Sequence, residues 1–491
     1  MKVAIRADVS TAIGTGHVMR CLTLADALRE RGAAIRFVCR QTPGHLGNLI
    51  AEKGYKLAWL PERGNLAEDA RDTHAAIADQ ARWDWLIVDH YALDAAWERE
   101  LRSLALKLMV IDDLADRSHD CDLLLDQNLQ EPGRYEALIP KTCMTLIGPK
   151  YALLRPQFAE ARRNLRVRDG CVSRLLVFFG GVDASGETLK ALSAIKMLGR
   201  QDIAVDVVLG QANPHRQNIE MACRDLSNVT LHHQIENMAE LMAAADLFIG
   251  AGGTSSWERC CLGLPALVLA TADNQITQSV TLGHAGAHLY LGLASSVNME
   301  HLAQLIDEIL QLPELLIHTA KCGQDIVDGR GTARVANSMK SFWPIDLRHA
   351  KLADSRSLFA WRNHPDTRRH SLDPAEIAWD SHERWFTAVL ADPNRELLIA
   401  EQRGQPVGVL RYDIEAGRAH ISVYLVPGLA GQGLGARLLL AGEEWLRTRH
   451  PEIRILEAQI RPSNTASLGV FQSAGFAHDH TVLKKNIHDQ H

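Results

Sequence analysis

The sequence predicts an α/β protein with two consecutive doubly wound parallel-sheet domains, followed by an α+β domain. Short apolar, β-rich runs alternate with helical patterns from the N-terminus, as expected for parallel strands covered on both faces. The alternation restarts after a charged, aperiodic stretch at residues 162–173. Beyond residue 345 it gives way to hairpin-like strands, which are typical of an antiparallel sheet. The predicted domains are therefore residues 1–163, 172–340 and 346–491.

Composition and charge narrow the class of protein. The 491 residues are 46% hydrophobic and 23% charged, which excludes a mainly disordered chain. Lys and Arg number 53 against 59 Asp and Glu, a net charge of −6, so no basic excess indicates a nucleic-acid or membrane partner. No run approaches the roughly 20 apolar residues of a membrane span, and Arg6 and Asp8 stand where a signal peptide needs apolar residues. We therefore expect a cytoplasmic protein.

The nine cysteines predict neither a disulfide framework nor a metal site. They are scattered, and none forms Cys-x-x-Cys. An odd number cannot all pair. The adjacent Cys260 and Cys261 suit small buried side chains better than ligands. We expect no bound metal.

The first predicted domain places carboxylates where its strands end. Its predicted strands are residues 2–7, 35–39, 85–89 and 108–112, with a helix at 18–31 after the first strand. Asp8, Asp89 and Asp112 fall at strand ends. Active residues in doubly wound sheets lie at the carboxyl ends of strands, so this edge is the candidate catalytic edge.

A glycine-bearing turn joins the first strand to its helix. Its residues are Gly14, Thr15, Gly16 and His17. Glycines let the backbone approach a ligand closely, and the first amides of a helix are free donors, so Gly14 and Gly16 suit a phosphate or a sugar hydroxyl. His17 has a reference pKa near 6.5 that suits proton transfer from water. The alternative is a helix-capping histidine without a chemical role.

The second predicted domain carries polar loops after three of its strands. Its predicted strands are residues 175–179, 204–209, 247–249 and 265–270. The loops contain Gly180 and Gly181; Gly252, Gly253, Thr254, Ser255 and Glu258; and Asp273, Asn274 and Gln275.

These loops suit a nucleotide-linked sugar. Amides and hydroxyls at residues 252–256 would surround a diphosphate at a helix N-terminus, with Gly180 and Gly181 facing the same phosphates. Glu258 would accept hydrogen bonds from a ribose diol, and Asn274 and Gln275 would bind sugar hydroxyls. The alternative is a glycine turn with Glu258 as a helix-dipole partner.

Residues 1–340 resemble nucleotide-sugar enzymes of the GT-B fold, and more specifically the UDP-2,4-diacetamido-2,4,6-trideoxy-β-L-altropyranose hydrolases of pseudaminic acid biosynthesis. The residues that carry this resemblance are Arg6-Ala7-Asp8, Gly14-Thr15-Gly16-His17-Val18-Met19-Arg20-Cys21, Asp89-His90-Tyr91, Ile111-Asp112-Asp113, Phe179-Gly180-Gly181-Val182-Asp183 and Gly252-Gly253-Thr254-Ser255-Ser256-Trp257-Glu258.

The resemblance implies metal-independent cleavage of the anomeric C–O bond with inversion, and UDP bound in the second domain. His17 would position or deprotonate the attacking water, Tyr91 would orient the sugar or the water, and Asp8 would hold His17. Amides around the diphosphate would stabilise the charge that develops on the leaving group. Glycosyltransferases share the general GT-B pattern, so a UDP-sugar glycosyltransferase is the alternative.

The C-terminal region carries a glycine-rich turn between a strand and a helix. The predicted strands are residues 396–401, 407–412 and 420–426, and glycines follow at 428, 431, 433 and 435. Bare amides at such a turn suit a pyrophosphate. With Asn464 and the run 471–476, residues 346–485 resemble GNAT N-acetyltransferases. The resemblance implies acetyl-CoA as co-substrate, bound by Val426, Gly431, Gln432, Gly433, Leu434, Gly435 and Asn464.

Two residues depart from the usual GNAT pattern. Ala430 replaces a common Arg or Gln, and Phe471 replaces the tyrosine that protonates the leaving thiolate in many members. Tyr424, Tyr412 or water are the open substitutes for that acid.

A tryptophan-rich segment at residues 361–386 resembles the sugar-nucleotide acetyltransferases of the same pathway, which act on a UDP-linked 4-amino sugar. By this resemblance Arg362, Asn363 and Trp385 would bind the acetyl acceptor. The alternative is that the aromatic residues are core.

The two resemblances together predict a bifunctional enzyme that acetylates the 4-amine of a UDP-amino sugar and then releases UDP from the product. The alternatives are a glycosyltransferase for the first part and a CoA-sensing or protein-modifying module for the second.

Overall fold

The computed structural model describes residues 1–8, 16–42, 45–61, 64–80, 82–210, 213–233, 235, 237–431 and 433–478. Gly14 and Gln432 lie outside the described residues. The chain divides into two compact units, Met1–Ala336 and Asn337–His491.

The first sheet of the N-terminal unit has seven strands, all paired in parallel. They are β1 (Lys2–Ala7), β2 (Ala34–Arg40), β3 (Lys56–Leu60), β4 (Trp83–Asp89), β5 (Ala105–Ile111), β6 (Leu123–Asp126) and β7 (Met144–Ile147). Their order is β3-β2-β1-β4-β5-β6-β7, so the direction of winding reverses between β1 and β4. Both central strands are almost wholly buried, which explains their continuous apolar sequences.

The helices around this sheet are α1 (Gly16–Arg29), α2 (Gly47–Glu52), α3 (Leu66–Ile77), α4 (Ala95–Leu101) and α5 (Pro156–Arg163). Local sequence fixes two of their starts. Asn65 accepts the backbone N–H of Glu68, whose carboxylate accepts the N–H of Asn65, a capping box that starts α3. Asp94 accepts the amides of Ala96 and Trp97 at the start of α4.

The second sheet of the same unit has six parallel strands. They are β8 (Arg174–Phe178), β9 (Ala204–Leu209), β10 (Val229–His233), β11 (Leu247–Ala251), β12 (Ala266–Ala270) and β13 (Leu289–Leu293). Their order is β10-β9-β8-β11-β12-β13, with the reversal between β8 and β11. The associated helices are α6 (Glu187–Leu198), α7 (Arg216–Arg224), α8 (Met238–Ala244), α9 (Ser255–Leu262), α10 (Ile276–His284), α11 (Met299–Leu310), α12 (Pro313–Ile326) and α13 (Gly331–Ser341).

The C-terminal unit has one mixed sheet of five strands. They are β14 (Asp346–His349), β15 (Arg395–Gln402), β16 (Gln405–Glu415), β17 (Arg418–Leu425) and β18 (Ile455–Ala458), paired in chain order. Only β17 and β18 pair in parallel, from Arg418↔Ile455 to Ile421↔Ala458. Its helices are α14 (Ser355–Asn363), α15 (Pro365–His370), α16 (Trp379–Ala391), α17 (Leu434–Arg449) and α18 (Thr465–Ser473).

The predicted fold class is confirmed: two doubly wound parallel sheets precede an α+β region. The predicted strands are present, with bounds that differ by a few residues. Seven strands were not predicted, namely β3, β6, β7, β10, β13, β14 and β18. Most are short or lie at a sheet edge; β10, for example, reads Val-Thr-Leu-His-His and is nowhere fully buried, so its sequence lacks the apolar run of a central strand. The three domain boundaries remain predictions.

Candidate active sites

The two reversals of winding in the N-terminal unit place the predicted loops at crevices. Asp8 follows β1, His17 is the second residue of α1, and Asp89 is the last residue of β4. The pair Gly180 and Gly181 follows β8, and the turn that starts at Gly252 follows β11. Ligands of open α/β sheets bind at such reversals, outside the carboxyl ends of the strands. Topology thus puts both sets of predicted residues where ligands bind.

His17 is buried on the first turn of α1 beside a carboxylate and a tyrosine. Its Nε2 lies 3.9 Å from Asp89 Oδ1, and its Nδ1 has no hydrogen-bond partner among the described residues. The ring meets Tyr91 edge-on, with centroids 4.4 Å apart. Burial lowers the pKa of His17 more than Asp89 raises it. The imidazole is therefore able to accept a proton at neutral pH.

The expected hold of Asp8 on His17 is wrong. Asp8 instead pairs with both terminal nitrogens of Arg6, at 2.5 and 2.8 Å, and with His90 Nε2 at 3.3 Å. It also accepts the backbone N–H of Arg40 at 2.7 Å. Burial by itself would raise the pKa of Asp8, but the hydrogen bond from His90 and the charge of Arg6 bring it well below its usual value. Asp8 therefore links the end of β1 to the end of β2 and to His90.

Asp89 and Arg20 belong to the sequence motifs, but sequence reasoning gave neither of them a role at the site. Arg20 donates Nε and Nη2 to the two oxygens of Asp89, each at 2.6 Å, and Nη1 to Asp113 Oδ2 at 3.0 Å. The bidentate pair orients Asp89 towards the His17 ring. The signals were present, since Arg20 stands one turn after His17 and Asp89 ends a strand. Nothing local, however, shows that residues 69 positions apart meet.

The turn that follows β11 contacts the first turn of α1, which carries His17. A Cβ placed on Gly16 would lie 3.3 Å from Thr254 Cγ2, so the start of α1 touches the start of α9. A Cβ on Gly253 would meet no atom of the described residues within 4 Å, whereas one on Gly252 would overlap the Ser279 hydroxyl. Gly252 is therefore required for close packing, while Gly253 leaves its backbone open to a ligand.

Gly180 and Gly181 complete that edge of the second sheet. Gly180 has a φ of +93° and open space where a side chain would lie, a backbone conformation that favours glycine. A Cβ on the neighbouring Gly210 would overlap the backbone of Gly181. At Gly180, Gly181 and Gly210 this edge of the sheet therefore presents backbone atoms without side chains.

The predicted ligand residues Glu258, Asn274 and Gln275 each have a different partner within the protein. Glu258 Oε1 lies 3.4 Å from Arg155 Nη2, so an arginine already faces the carboxylate. Asn274 Nδ2 donates to the Tyr91 hydroxyl at 3.5 Å, which links the loop after β12 to the first sheet. Gln275 Oε1 accepts the backbone N–H and hydroxyl of Thr271, so its carbonyl holds its own loop.

The glycine-rich turn of the C-terminal unit is open. Gly428, Gly431 and Gly433 have φ values of +85°, +76° and +70°, and a Cβ at each would meet no atom within 4 Å in the part of the chain that the structure describes. Gly433 immediately precedes α17, whose first residue Leu434 is buried. A Cβ on Gly435 would lie 3.1 Å from Val470 Cγ1, so this glycine permits α17 and α18 to pack closely. Val426 is anchored by its N–H, which donates to Val407 O.

Beside this turn, β17 and β18 separate. Their pairing ends at Ile421↔Ala458, while β17 continues to Leu425. The backbone beyond Ile421 therefore has no ladder partner on the β18 side. Asn464, on the other side of the gap, caps α18 by accepting the N–H of Ser467, and only its amide group remains for a ligand.

Two arginines and two aromatic residues cluster on the predicted acceptor side. Arg362 donates Nη2 to Asp373 O at 2.9 Å, while its Nη1 is buried without a partner among the described residues. The Arg411 guanidinium lies 6.0 Å from the Trp385 ring, and its Nε is likewise buried and unpartnered there. Burial raises the pKa of Tyr424, while the charges of Arg362 and Arg411 lower it, so both cations lie near the hydroxyl. Arg411 also pairs with Asp413 through Nη2 at 2.9 Å. Arg411 and Tyr424 were not among the predicted acceptor residues.

Other aromatic residues of this unit belong to the core. Phe386 is buried, and Trp361 and Trp385 are partly buried against the same cluster. Asn363 exchanges two hydrogen bonds with the backbone of Ile377, so it braces the loop after α15 rather than presenting a free amide.

The two tyrosines that could protonate a leaving thiolate, Tyr412 and Tyr424, lie in different environments. Phe471 and Tyr412 are buried in one core cluster under α17. The Tyr412 hydroxyl lies where a Cβ on Gly442 would overlap it, which leaves no room for a substrate. Tyr424 lies outside that cluster, beside the arginines.

No helix of the described residues is long and apolar enough to cross a membrane. Within those residues no group of three His, Cys, Asp or Glu side chains is arranged to hold a metal ion. All nine cysteines are free thiols, and Cys260 and Cys261 are buried.

Two family models match the chain. Residues 356–476 match the acetyltransferase (GNAT) family. The chain carries a GNAT acetyltransferase domain. Residues 175–329 match the C-terminal domain of glycosyltransferase family 28, which covers the second parallel sheet.

Relatives match both parts. An uncharacterized protein of Methanocaldococcus jannaschii is 23% identical over 97% of this chain and 96% of its own length. The UDP-2,4-diacetamido-2,4,6-trideoxy-beta-L-altropyranose hydrolase of Campylobacter jejuni is 25% identical over 58% of this chain and 97% of its own length. The resemblance inferred from the sequence is thereby confirmed. Both GNAT and hydrolase-like regions thus occur in one chain.

A solved structure matches the fold of the N-terminal part. MurG of Acinetobacter baumannii has a TM-score of 0.50 and 17% identity, over 69% of this chain and 99% of its own. At that identity the likeness shows the GT-B-like fold alone. The GNAT domain follows this fold in the chain.

Proposed function

We propose that this protein is a bifunctional enzyme that acetylates the 4-amino group of a UDP-linked amino sugar and then hydrolyses the UDP-2,4-diacetamido sugar product to UDP and free sugar. The observation that carries the proposal is the contact of the start of α1, which holds His17, with the glycine turn after β11. A Cβ placed on Gly16 would lie 3.3 Å from Thr254 Cγ2. A proton acceptor and a diphosphate-binding turn then face the same crevice. The GNAT domain supplies the acetyltransferase half, and the reaction would take place in the cytoplasm.

In the hydrolase half, a water oxygen attacks the anomeric carbon as the C–O bond to the β-phosphate breaks. His17 takes the proton from that water, and Asp89 lies 3.9 Å from its Nε2 to stabilise the imidazolium that forms. Tyr91, whose pKa burial raises to about 12, stays protonated and orients the sugar or the water. Asn274, bonded to the Tyr91 hydroxyl, brings the sugar-binding loop to the same place.

UDP leaves into the turn at Gly252, Gly253, Thr254 and Ser255, with Gly180 and Gly181 opposite. Amides at the start of α9 bind the diphosphate and stabilise its developing negative charge. Glu258 binds the ribose diol. Its carboxylate faces Arg155, so it is held in one orientation for that contact. The amide nitrogens of Asn274 and Gln275 and the backbone of Gly16 remain for sugar hydroxyls.

In the acetyltransferase half, the amine nitrogen attacks the thioester carbonyl carbon of acetyl-CoA. A C–N bond forms as the C–S bond breaks, the amine gives up a proton, and the departing thiolate takes one. The open turn at Gly431, Gly433 and Leu434 binds the pyrophosphate of the co-substrate, and the unpaired edge of β17 after Ile421 polarises the thioester carbonyl. Tyr424 is the candidate acid.

The acceptor of this transfer carries a diphosphate. Arg362 and Arg411 each keep a buried nitrogen without a partner among the described residues, and a buried donor without a partner is costly unless a ligand satisfies it. Trp385 lies against Arg411 and is placed to stack on a base or cover the apolar face of a sugar.

One coupled assay on the full chain tests both halves. The protein is incubated with acetyl-CoA and the UDP-4-amino sugar, and CoA thiol and UDP are followed by chromatography. Both products are expected, with CoA release preceding UDP release. In H17N, CoA release should persist while UDP release stops; in R362M, CoA release should fall while added diacetamido substrate is still hydrolysed. Absence of either product with verified substrate refutes that half.

A glycosyltransferase is the second candidate for the N-terminal part, because residues 175–329 match a glycosyltransferase family model. An acceptor alcohol would then replace water in the same crevice. UDP release from purified UDP-sugar in the absence of any acceptor favours the hydrolase. Strict dependence on an added sugar or lipid acceptor favours the transferase.

A further inference from the structure

Arg259 is a buried cation that no carboxylate among the described residues neutralises. Its side chain is 0% exposed. Nη2 donates to Ser256 Oγ at 3.1 Å and approaches His288 Nδ1 at 3.5 Å. Nε and Nη1 have no hydrogen-bond partner in the described part of the chain. The guanidinium carbon lies 5.1 Å from the Phe248 ring centroid, a contact that stabilises a cation without neutralising it.

The groups around Arg259 leave its charge in place. His288 Nε2 donates to Ser279 O at 2.8 Å, so Nδ1 is its acceptor face. Burial and the charge of Arg259 lower the pKa of His288 to about 3, which keeps this imidazole neutral. Burial lowers the pKa of Arg259 itself to about 10, so the guanidinium is charged at neutral pH. The charge of Glu258, the adjacent acid, raises the pKa of Arg259, but its carboxylate pairs with Arg155 and forms no ion pair with the Arg259 guanidinium among the described residues.

Arg259 lies directly behind the glycine turn. It is the fifth residue of α9, and its side chain runs back towards the helix start, where it binds Ser256. Ser279 Oγ, which has no partner among the described residues, abuts Gly252 from the same inner side. The guanidinium therefore stands behind the turn whose outer side is open at Gly253.

A buried, unpaired guanidinium is costly to a fold. The cost is offset when a ligand supplies the missing negative charge, because a charge acts strongly across a short path of low dielectric. The N-terminus of α9 adds a dipole of the same sign. A doubly charged ligand on the outer side of the turn satisfies both.

We propose that Arg259 is a positioning residue for the diphosphate of the nucleotide: it holds the turn at residues 252–256 from behind through Ser256 and supplies the uncompensated positive charge that selects nucleoside diphosphates over uncharged nucleosides. This inference rests on the proposed UDP-binding function and extends it to a residue that never touches the ligand.

The test compares UDP, UMP and uridine binding to the full chain by calorimetry, in wild type and in R259M. We expect UDP to bind R259M about 10- to 100-fold more weakly, UMP to lose less, and uridine to be unaffected. R200M is the matched control, since Arg200 is an exposed arginine after α6 that pairs with Asp202. It removes the same charge and should leave all three affinities unchanged.

R259K keeps the charge and is expected to keep the preference for UDP over uridine within about threefold. The proposal is overturned if R259M retains the wild-type ratio of UDP to uridine affinity, or if R259K loses that ratio as fully as R259M. If R259M fails to fold, the ratio of UDP to uridine affinity in R259K decides: a ratio within about threefold of wild type supports the proposal, and loss of the ratio overturns it. If wild-type protein binds no UDP, the proposed function itself fails, which is a different result from an unchanged ratio.

Discussion

The two parallel sheets of the N-terminal unit bury charge in opposite ways. At the carboxyl edge of the first sheet, buried arginines are paired: Arg6 with Asp8 and Asp69, and Arg20 with Asp89 and Asp113. At the corresponding edge of the second sheet, Arg259 is equally buried and has no carboxylate partner among the described residues.

The difference separates two tasks. Paired buried charges fix geometry, because each partner has few alternative positions once both have left water. They suit an edge that must hold an imidazole in place. A buried charge without a partner keeps its field for a ligand, which suits an edge that binds an anion. Under the proposed function, the first edge would carry out the chemistry and the second would bind the nucleotide.

The largest expected effect is on turnover. H17N should lower the hydrolysis rate by about 10²- to 10⁴-fold, the usual contribution of a general base, while UDP affinity stays at the wild-type value. Steady-state UDP release and calorimetric UDP binding check the two sides. Loss of UDP binding in this variant would place binding, as well as chemistry, on the first edge and break the comparison.

Stability should depend most on the paired network. Asp69 accepts Arg6 Nε and Nη2 at 3.2 and 2.6 Å and Trp97 Nε1 at 2.9 Å. D69N removes one of the two carboxylates that pair with the buried Arg6 and the carboxylate that pairs with Arg40, so the free energy of unfolding should fall by about 3–5 kcal/mol. Urea unfolding at pH 7 measures it.

The matched control is D79N, which breaks the exposed pair of Asp79 with Arg36. Exposed pairs are weak, so little change is expected. Equal losses in D69N and D79N would contradict the role given to the buried network.

The pH profile of hydrolysis should report on Asp89. Charged groups that act on His17 are Asp89 and Asp113, which raise its pKa, and Arg20 and His90, which lower it. The rate rises with pH as His17 loses its proton. D89N removes a charge that favours the protonated form, so the acid limb should move down by about one pH unit.

The control for this shift is D122N, because Asp122 pairs with Arg102 and Lys107 elsewhere on the same sheet. Its profile should match the wild type. An acid limb that stays in place or moves to higher pH in D89N would remove Asp89 from the control of His17.

The smallest expected effect is the change in stability when the unpaired Arg259 of the second sheet is removed. R259M removes a buried charge that has no partner, so the free energy of unfolding should stay level or rise by about 1 kcal/mol, although UDP binding weakens. The same urea experiment as for D69N measures it. A clear loss of stability would mean that Arg259 holds the fold together in the unliganded protein.

Much of the fold was predictable from local sequence. The strands β1, β4, β8 and β11 are apolar and buried on both faces, and such runs reveal themselves without any partner. Edge strands such as β10 were not predicted, because a half-exposed strand lacks a continuous apolar run. The candidate site followed the same division.

Residues beside glycines, such as His17, Thr254 and Gly433, could be proposed as site residues from sequence, since the glycine motifs mark them; their roles stay predictions. Residues that matter through a distant partner were not. The family resemblance assigned Asp8 to His17, yet Asp8 binds Arg6 and His90. Arg259, Arg411 and Tyr424 carry no motif. Their significance lies in which of their atoms are buried and left without partners.

The sequence by itself determined the order of strands, helices and glycine turns, because periodicity, backbone freedom at glycine and helix capping act over a few residues. Tertiary structure alone decided which carboxylate meets which cation. Ion pairing depends on distances and burial between residues far apart in the chain, and a change of partner alters neither the local pattern nor the composition.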